Sequence, residues 1–228
     1  MGSDFLLFAT SLMIEYILSL LVLISIWSLL TQSYNLSFGL TGLFNLGHII
    51  FYGIGAYAAA ILNIEFGSPF LLNLLLGGVI AAVFSAVLGL LTLRLSGHYL
   101  AIATLGAAMI SIVVATNWIN LTNGPLGIRG IKNPSIFGIS FDETWSILLL
   151  YSVVAALGHY ALYKLFHSPF GRLQKAIDAD DIGAQSLGKN TFSAKVWSLS
   201  LSAFFCGYGG SNVHALSFVF GPICVFSA

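Results

Sequence analysis

Charge is what this sequence has least of. Of its 228 residues, 8 are Lys or Arg and 8 are Asp or Glu, so that 7% carry charge and the formal net charge is zero. Soluble globular chains carry about 25% charged residues, and a surface this poor in charge cannot stay hydrated, which excludes a soluble domain. A chain with no net positive charge has no electrostatic basis for binding nucleic acid. Cysteine is nearly absent as well. Cys206 and Cys224 stand far apart in apolar surroundings with no CxxC, which argues against a disulfide framework or a thiolate metal site and for two small membrane hydrophobes. The first apolar run lacks the basic residues that open a secretory leader: up to Leu30 it carries only Asp4 and Glu15. It reads as a retained span.

What is present is oil. Hydrophobic residues make up 58%, with 24 Gly and 18 Phe, and the mean hydropathy is +0.96. A helix needs about 20 apolar residues to cross the hydrocarbon layer. Six stretches qualify, roughly 12–33, 44–63, 70–94, 98–118, 144–166 and 194–220. The expected fold is an all-α, polytopic transmembrane helical bundle, one domain over residues 1–228. Trp118 and Trp145 border a polar, glycine-containing connection at 119–143, where indole rings suit the membrane–water boundary.

Basic residues set the orientation. Lys164, Arg172, Lys175, Lys189 and Lys195 gather around one connection and Arg94 lies in another on the same side. The positive-inside rule assigns that side to the cytoplasm, which puts the N-terminus and the 119–143 loop outside. Arg129 and Lys132 fall on the external side against this trend.

Residues 33–51, SYNLSFGLTGLFNLGHIIF, place Asn35, Thr41, Asn45 and His48 among Gly39, Gly42 and Gly47 near membrane depth. Non-helical backbone is tolerated there only if it is buried in protein or lines a polar cavity. Two readings stand: a plain cytoplasmic turn, or a broken segment beside a substrate path. Asn35, Thr41 and Asn45 are accordingly either caps of broken helix ends or path-lining residues. Gly53, Gly55, Ala56 and Ala60, just beyond, are small enough for close helix packing.

Half of the charge sits in one place: 8 of the 16 charged residues lie between Lys164 and Lys195. Pro169 and Gly171 end the fifth span. Asp178, Asp180 and Asp181 suit a helix N-terminus, where they complement the dipole, and Gly188 followed by Lys189 suits its end. The spacing predicts a short cytoplasmic helix of about ten residues, with Gly183, Ala184, Leu187 and Gly188 on one face. Such a helix is marginal alone in water. It either docks into a groove of another protein, with Leu187 as its anchor, or rests on its own bundle.

Enzymatic chemistry finds no purchase. GAQSLGKN begins like a phosphate-binding loop but has Asn190 where Ser or Thr must ligate magnesium. GxSxG, HExxH and paired carboxylates within a span are absent. His48, His98, His159, His167 and His214 are scattered, mostly near span ends, and suit interfacial or capping roles better than ligation. No charged residue falls clearly in mid-membrane, unlike in ion-coupled carriers. That leaves a channel, or a permease driven by a separate ATPase.

SPFGRLQKAIDADDIGAQSLGKN resembles the cytoplasmic loop of the branched-chain amino acid ABC transporter permeases. NLSFGLTGLFNLGHIIFYGIGAYAAAIL is similar to the first glycine-rich block of that family, and SGHYLAIATLGAAMISIVV to its next motif, with His98 where Asp is usual. TNWINLTNGPLGIRGI looks like its external loop, and SLSLSAFFCGYGGSNVHALSFVFGP like its next span. The order of these blocks is closer to the larger of the two permease subunit types.

The resemblance implies a subunit without catalytic residues, cofactor or metal, in the inner membrane. Its implied partners are a second permease subunit, two peripheral ATPase subunits and an extracytoplasmic binding protein. By the same resemblance the 167–193 loop carries a coupling helix in which Ile182, Gly183 and Ala184 form the Ala-rich core and Gly188 is its glycine, with Asp181 and Leu187 beside them. The implied substrates are leucine, isoleucine and valine, with urea or short amides as alternatives. Family members continue past the Gly221–Pro222 position, so a fragment, or an inactive truncated remnant, is a further expectation. A self-contained channel for a small neutral solute is the rival reading.

Overall fold

The computed structural model describes residues 2–95, 97–124, 127–128, 135–136, 139–140 and 144–220. Among these the chain forms α1 (Gly2–Ser37), α2 (Ile49–Phe66), α3 (Phe70–Thr92), α4 (His98–Asn117), α5 (Ile119–Thr122), α6 (Thr144–Phe166), α7 (Pro169–Ala179), α8 (Asp181–Ser186) and α9 (Thr191–Phe220). A two-residue antiparallel ladder, Ser135–Ile136 with Ile139–Ser140, falls in the connection between α5 and α6. Residues 125–126, 129–134, 137–138 and 141–143 of the 119–143 loop, Arg129 and Lys132 among them, lie outside the described residues, as does Cys224.

Among the described residues, five helical segments are long and apolar enough to cross a membrane: Tyr16–Ser37, Ile49–Phe66, Phe70–Thr92, His98–Asn117 and Leu149–Phe166. The protein is a multi-pass helical membrane bundle. The sixth expected span, 194–220, is α9, which is not among the five. Its Ser198, Ser200, Ser202, Ser211 and Asn212 make it too polar by composition, and all five are buried. α9 packs most heavily against α3, α2 and α1. A helix surrounded by other helices need not be apolar, because its hydroxyls bond to neighbours instead of meeting lipid. Ser85 Oγ of α3 donates to the Leu199 carbonyl at 3.0 Å, Ser211 Oγ lies 3.1 Å from the Gly55 carbonyl, and Tyr208 Oη donates to the Val154 carbonyl at 2.7 Å.

Small residues permit this closeness. A Cβ on Gly210 would collide with the Tyr52 carbonyl, and one on Gly207 would meet Ala81 Cβ at 2.5 Å and the Gly77 carbonyl at 3.0 Å. Elsewhere larger side chains interlock. Val22 and Ile26 of α1 pack with Phe70, Leu74, Tyr151 and Val154, while Leu29, Leu36 and Leu40 pack with Leu162. The outward faces, among them Leu91, Ile102, Ile110 and Leu149, stay exposed and apolar as lipid-facing surfaces require.

Two histidines differ from the sequence expectation. His159 is in mid-α6, not at a span end; its Nε2 lies 2.7 Å from Ser28 Oγ and its Nδ1 2.8 Å from the Ala155 carbonyl. It ties α6 to α1. His48 is buried before α2, with Nε2 3.0 Å from Ser33 Oγ.

Candidate functional site: the charged elbow and the 38–48 link

The expected helix over 176–190 is two helices. Ser168 accepts a hydrogen bond from Gly171 N at 3.4 Å, and Pro169 sits in the first turn, where its missing N–H costs nothing. Gly171 is required in that turn because a Cβ there would strike the Phe166 carbonyl. α7 then runs only to Ala179. Asp180 is extended, with φ −156° and ψ 101°, and its carboxylate accepts from Gly183 N at 3.0 Å. The residue expected inside one acidic helix start therefore breaks the chain into an elbow and caps α8. Asp178 belongs to the end of α7, where a negative charge beside a helix C-terminus is unfavourable.

α8 is fastened to the start of α9 by three contacts. Lys195 Nζ donates to Asp181 Oδ2 at 2.7 Å. Gln185 Nε2 donates to Thr191 Oγ1 at 3.0 Å. Ala184 is buried with Ile177 and Ala194, and Leu173 packs on this cluster. The single face expected for Gly183, Ala184, Leu187 and Gly188 is thus divided. Ala184 turns inward as the anchor, Gly183 is half-buried, and Leu187 and Gly188 are exposed. Ile182 and Leu187 are the apolar side chains presented outward, 77% and 82% exposed. Gly188 ends the helix in the left-handed region at φ 76°, where glycine carries no Cβ penalty. Asn190 accepts from Ser193 N at 3.0 Å, so the residue that spoils the phosphate-loop pattern caps α9.

The second expected region is non-helical from residue 38 to 48. α2 begins at Ile49, not near residue 44, and Asn45 and His48 precede it. Carbonyls at and just past the end of α1 hold the turn: Leu40 N donates to Asn35 O at 3.1 Å, Leu43 N to Ser37 O at 3.0 Å and Gly42 N to Phe38 O at 2.9 Å. Ring contacts bind its two sides. Tyr34 stacks on Phe38 at 5.6 Å, Phe38 meets Phe44 edge-on at 4.5 Å, and Tyr34 lies 5.3 Å from His48.

The three residues singled out here part company. Asn35 is exposed on α1. Thr41 is buried, with its Oγ1 2.7 Å from Ser198 Oγ and 3.2 Å from both Gln174 Oε1 and the Leu36 carbonyl. Asn45 is buried and accepts from Gly47 N at 3.1 Å, capping the turn. Of the three, Asn45 borders a narrow cleft shared with Ser85, Thr92, Thr104 and Leu199, whose enclosed part holds about one water. Leu46 N donates to Thr104 Oγ1 at 3.1 Å, fixing the link to α4. Gln174 escaped the sequence reading altogether. It is fully buried, and its Nε2 donates to the Ala194 carbonyl at 2.9 Å. Its signal in the sequence was faint: an uncharged amide on the apolar face of an otherwise charged helix. No group of His, Cys, Asp and Glu able to hold a metal occurs among the described residues.

Residues 16–223 match a family described as branched-chain amino acid transport system / permease component. The chain is 34% identical over 209 residues to the high-affinity branched-chain amino acid transport system permease protein LivM of Escherichia coli, covering 82% of this chain and 49% of that protein. The LivM protein of Salmonella typhimurium is similar to the same extent, 34% over 209 residues, with the same coverage. The nucleoside ABC transporter permease protein NupC of Lactococcus lactis is 27% identical over 187 residues, 75% of this chain and 58% of that one. The chain spans about half the length of the LivM proteins it matches. No solved structure matches it.

Proposed function

This chain belongs to the branched-chain amino acid transport permease family, and we propose that it serves as a membrane-spanning subunit of an ATP-driven importer. In this reading residues 1–228 act as one permease domain in the inner membrane, with the N-terminus outside and α7–α8 in the cytoplasm. Two ATPase subunits bind the α8 elbow, a second permease completes the path, and an extracytoplasmic binding protein delivers substrate. The chain itself moves a solute and performs no covalent chemistry.

One observation carries this reading. α8 is held from behind by Ala184, Asp181 and Gln185 while Ile182 and Leu187 stand free in front. Large apolar side chains kept exposed on a short, charged, firmly anchored helix fit the groove of a partner protein. Asp181, Gly183 and Gly188 shape the helix that presents them. On the path side, Asn45 is the residue we assign to the solute's route; Thr41, buried behind it, and Asn35, exposed near the end of α1, are assigned to the same route. The substrates we assign are leucine, isoleucine and valine, since the LivM proteins are more similar to this chain than NupC is.

Uptake into proteoliposomes containing the chain, its partner permease and the ATPases tests the proposal. Radiolabelled leucine should accumulate above its external concentration only with ATP and binding protein present, and a nucleoside should not compete. Equilibration without ATP would establish a channel, and competition by the nucleoside or by urea would reassign the substrate.

A further inference from the structure

The elbow and the 38–48 link touch through two residues one helical turn apart on α7. Gln174 reaches Thr41, and the Asp178 carboxylate lies against Gly42 so closely that no side chain fits there. Gly42 has φ +66°, which glycine alone adopts without strain. Behind this contact α7, α8 and the start of α9 form one body, joined by the Ile177–Ala184–Ala194 cluster, the Asp181–Lys195 pair and the Gln174 bond to the Ala194 carbonyl. Beyond it the link continues through Asn45 and Gly47 to Thr104, at the edge of the cleft.

The hydrogen bonds at Thr41 are arranged to be remade. Two hydroxyl protons, those of Thr41 and Ser198, have the Leu36 carbonyl, Gln174 Oε1 and each other's oxygens to choose from, all within 2.7–3.2 Å. If α7 moves away, both protons keep an acceptor in the Leu36 carbonyl and the remaining hydroxyl, and the Gln174 amide keeps its bond to Ala194. No donor is stranded in the low-dielectric interior, where an unpaired one is costly. Breaking the Thr41–Gln174 bond leaves one buried acceptor, Gln174 Oε1, to find a new partner.

Resting on the docking function proposed above, we infer that Gln174 is a positioning residue that transmits displacement of the α8 elbow to the Thr41–Gly47 link and so to the cleft at Asn45. A clamp of purely structural value would leave coupling intact once the complex is assembled. A transmitter would not.

The test uses the full complex in proteoliposomes with native chain, Gln174→Leu, Thr41→Val and the double variant. Three quantities are read: ATPase capture, ATP hydrolysis, and leucine taken up per ATP. Gln174→Leu should capture the ATPases and hydrolyse ATP as the native chain does, while uptake per ATP falls by about tenfold. The double variant should lose little more uptake per ATP than Gln174→Leu alone, because the Thr41–Gln174 bond is absent in both. Unchanged uptake per ATP in Gln174→Leu overturns the inference. Failure of that variant to assemble overturns it too, since the residue would then be a structural support. A native chain that captures no ATPase, or takes up nothing on ATP, sinks the docking function first and the transmitter with it.

Discussion

Gly55 of α2 and Gly207 of α9 meet backbone to backbone: a Cβ on Gly55 would lie 2.5 Å from the Gly207 Cα and still closer to its carbonyl oxygen. Gly77 on α3 joins them: a Cβ on it would meet the Gly55 carbonyl at 2.9 Å, with the Ser211 hydroxyl also in the way. Gly207→Ala must push Ala81 and α3 aside, which should destabilise the bundle by about 1–3 kcal/mol. Gly106→Ala, in the interior of α4 on a face with nothing within 4 Å, should not destabilise, since alanine is the better helix former. Thermal unfolding in detergent of the two variants against the native chain checks the contrast.

Tyr208 on α9 donates to the Val154 carbonyl on α6 at 2.7 Å. Tyr208→Phe keeps the ring and removes the donor alone. Interhelical bonds in membranes are worth about 0.6 kcal/mol on average and up to about 1.7, so a loss within that range is expected in chemical unfolding from mixed micelles. A larger loss would mean that the ring itself shifts.

Lys195 holds the Asp181 carboxyl below the usual carboxylate range, chiefly through its hydrogen bond, with further help from Thr191 and Gln185 against a smaller opposing effect of burial. The folded-state value is thus below the unfolded one. The pair's contribution is complete above the unfolded value of about 4 and is lost as pH falls through the lower folded value. Both groups are partly exposed, so the effect is about 0.2–1 kcal/mol and shrinks with salt. The melting difference between native chain and Asp181→Asn should be constant near neutrality and vanish in acid. A difference that grew in acid would contradict the assignment.

Hydrophobic length made α3, α4 and α6 legible in the sequence to within a few residues, because each is a near-continuous apolar run bounded by polar or glycine-bearing turns; α2 was legible as a span, but it begins at Ile49 and not near residue 44. The end of α1 was not legible. Gln32, Ser33 and Asn35 look like the start of a loop, yet the helix continues to Ser37, with Ser33 and Ser37 returning their hydroxyls to carbonyls three residues back. α9 stood out as a span although it is not apolar enough to qualify as one, and its central place was hidden because hydroxyl partners in other helices leave no local pattern. In the charged stretch composition located the elbow, and two of its three acids do start a helix, Asp180 as the cap of α8 and Asp181 in its first turn; Asp178 instead ends α7, because the extended Asp180 separates the two helices. Ala184 was placed on the outward face by helical spacing alone, which says nothing of the Ile177 and Ala194 side chains that draw it inward. Gln174 was missed for the same reason. Its partner Thr41 lies 133 residues away, and no spacing reveals a contact of that range.

The central claim is that α8 is where ATPase subunits bind. Its most direct test is recovery of those ATPases with affinity-tagged chain in detergent, comparing native, Leu187→Arg and a control, Leu91→Arg, on an exposed part of α3 far along the chain. Leu187 is 82% exposed and packs against nothing that the arginine would disturb. Native chain and control should recover the ATPases, and Leu187→Arg should lose them while melting as the native chain does. Equal recovery with Leu187→Arg would contradict the account and move the docking surface off α8.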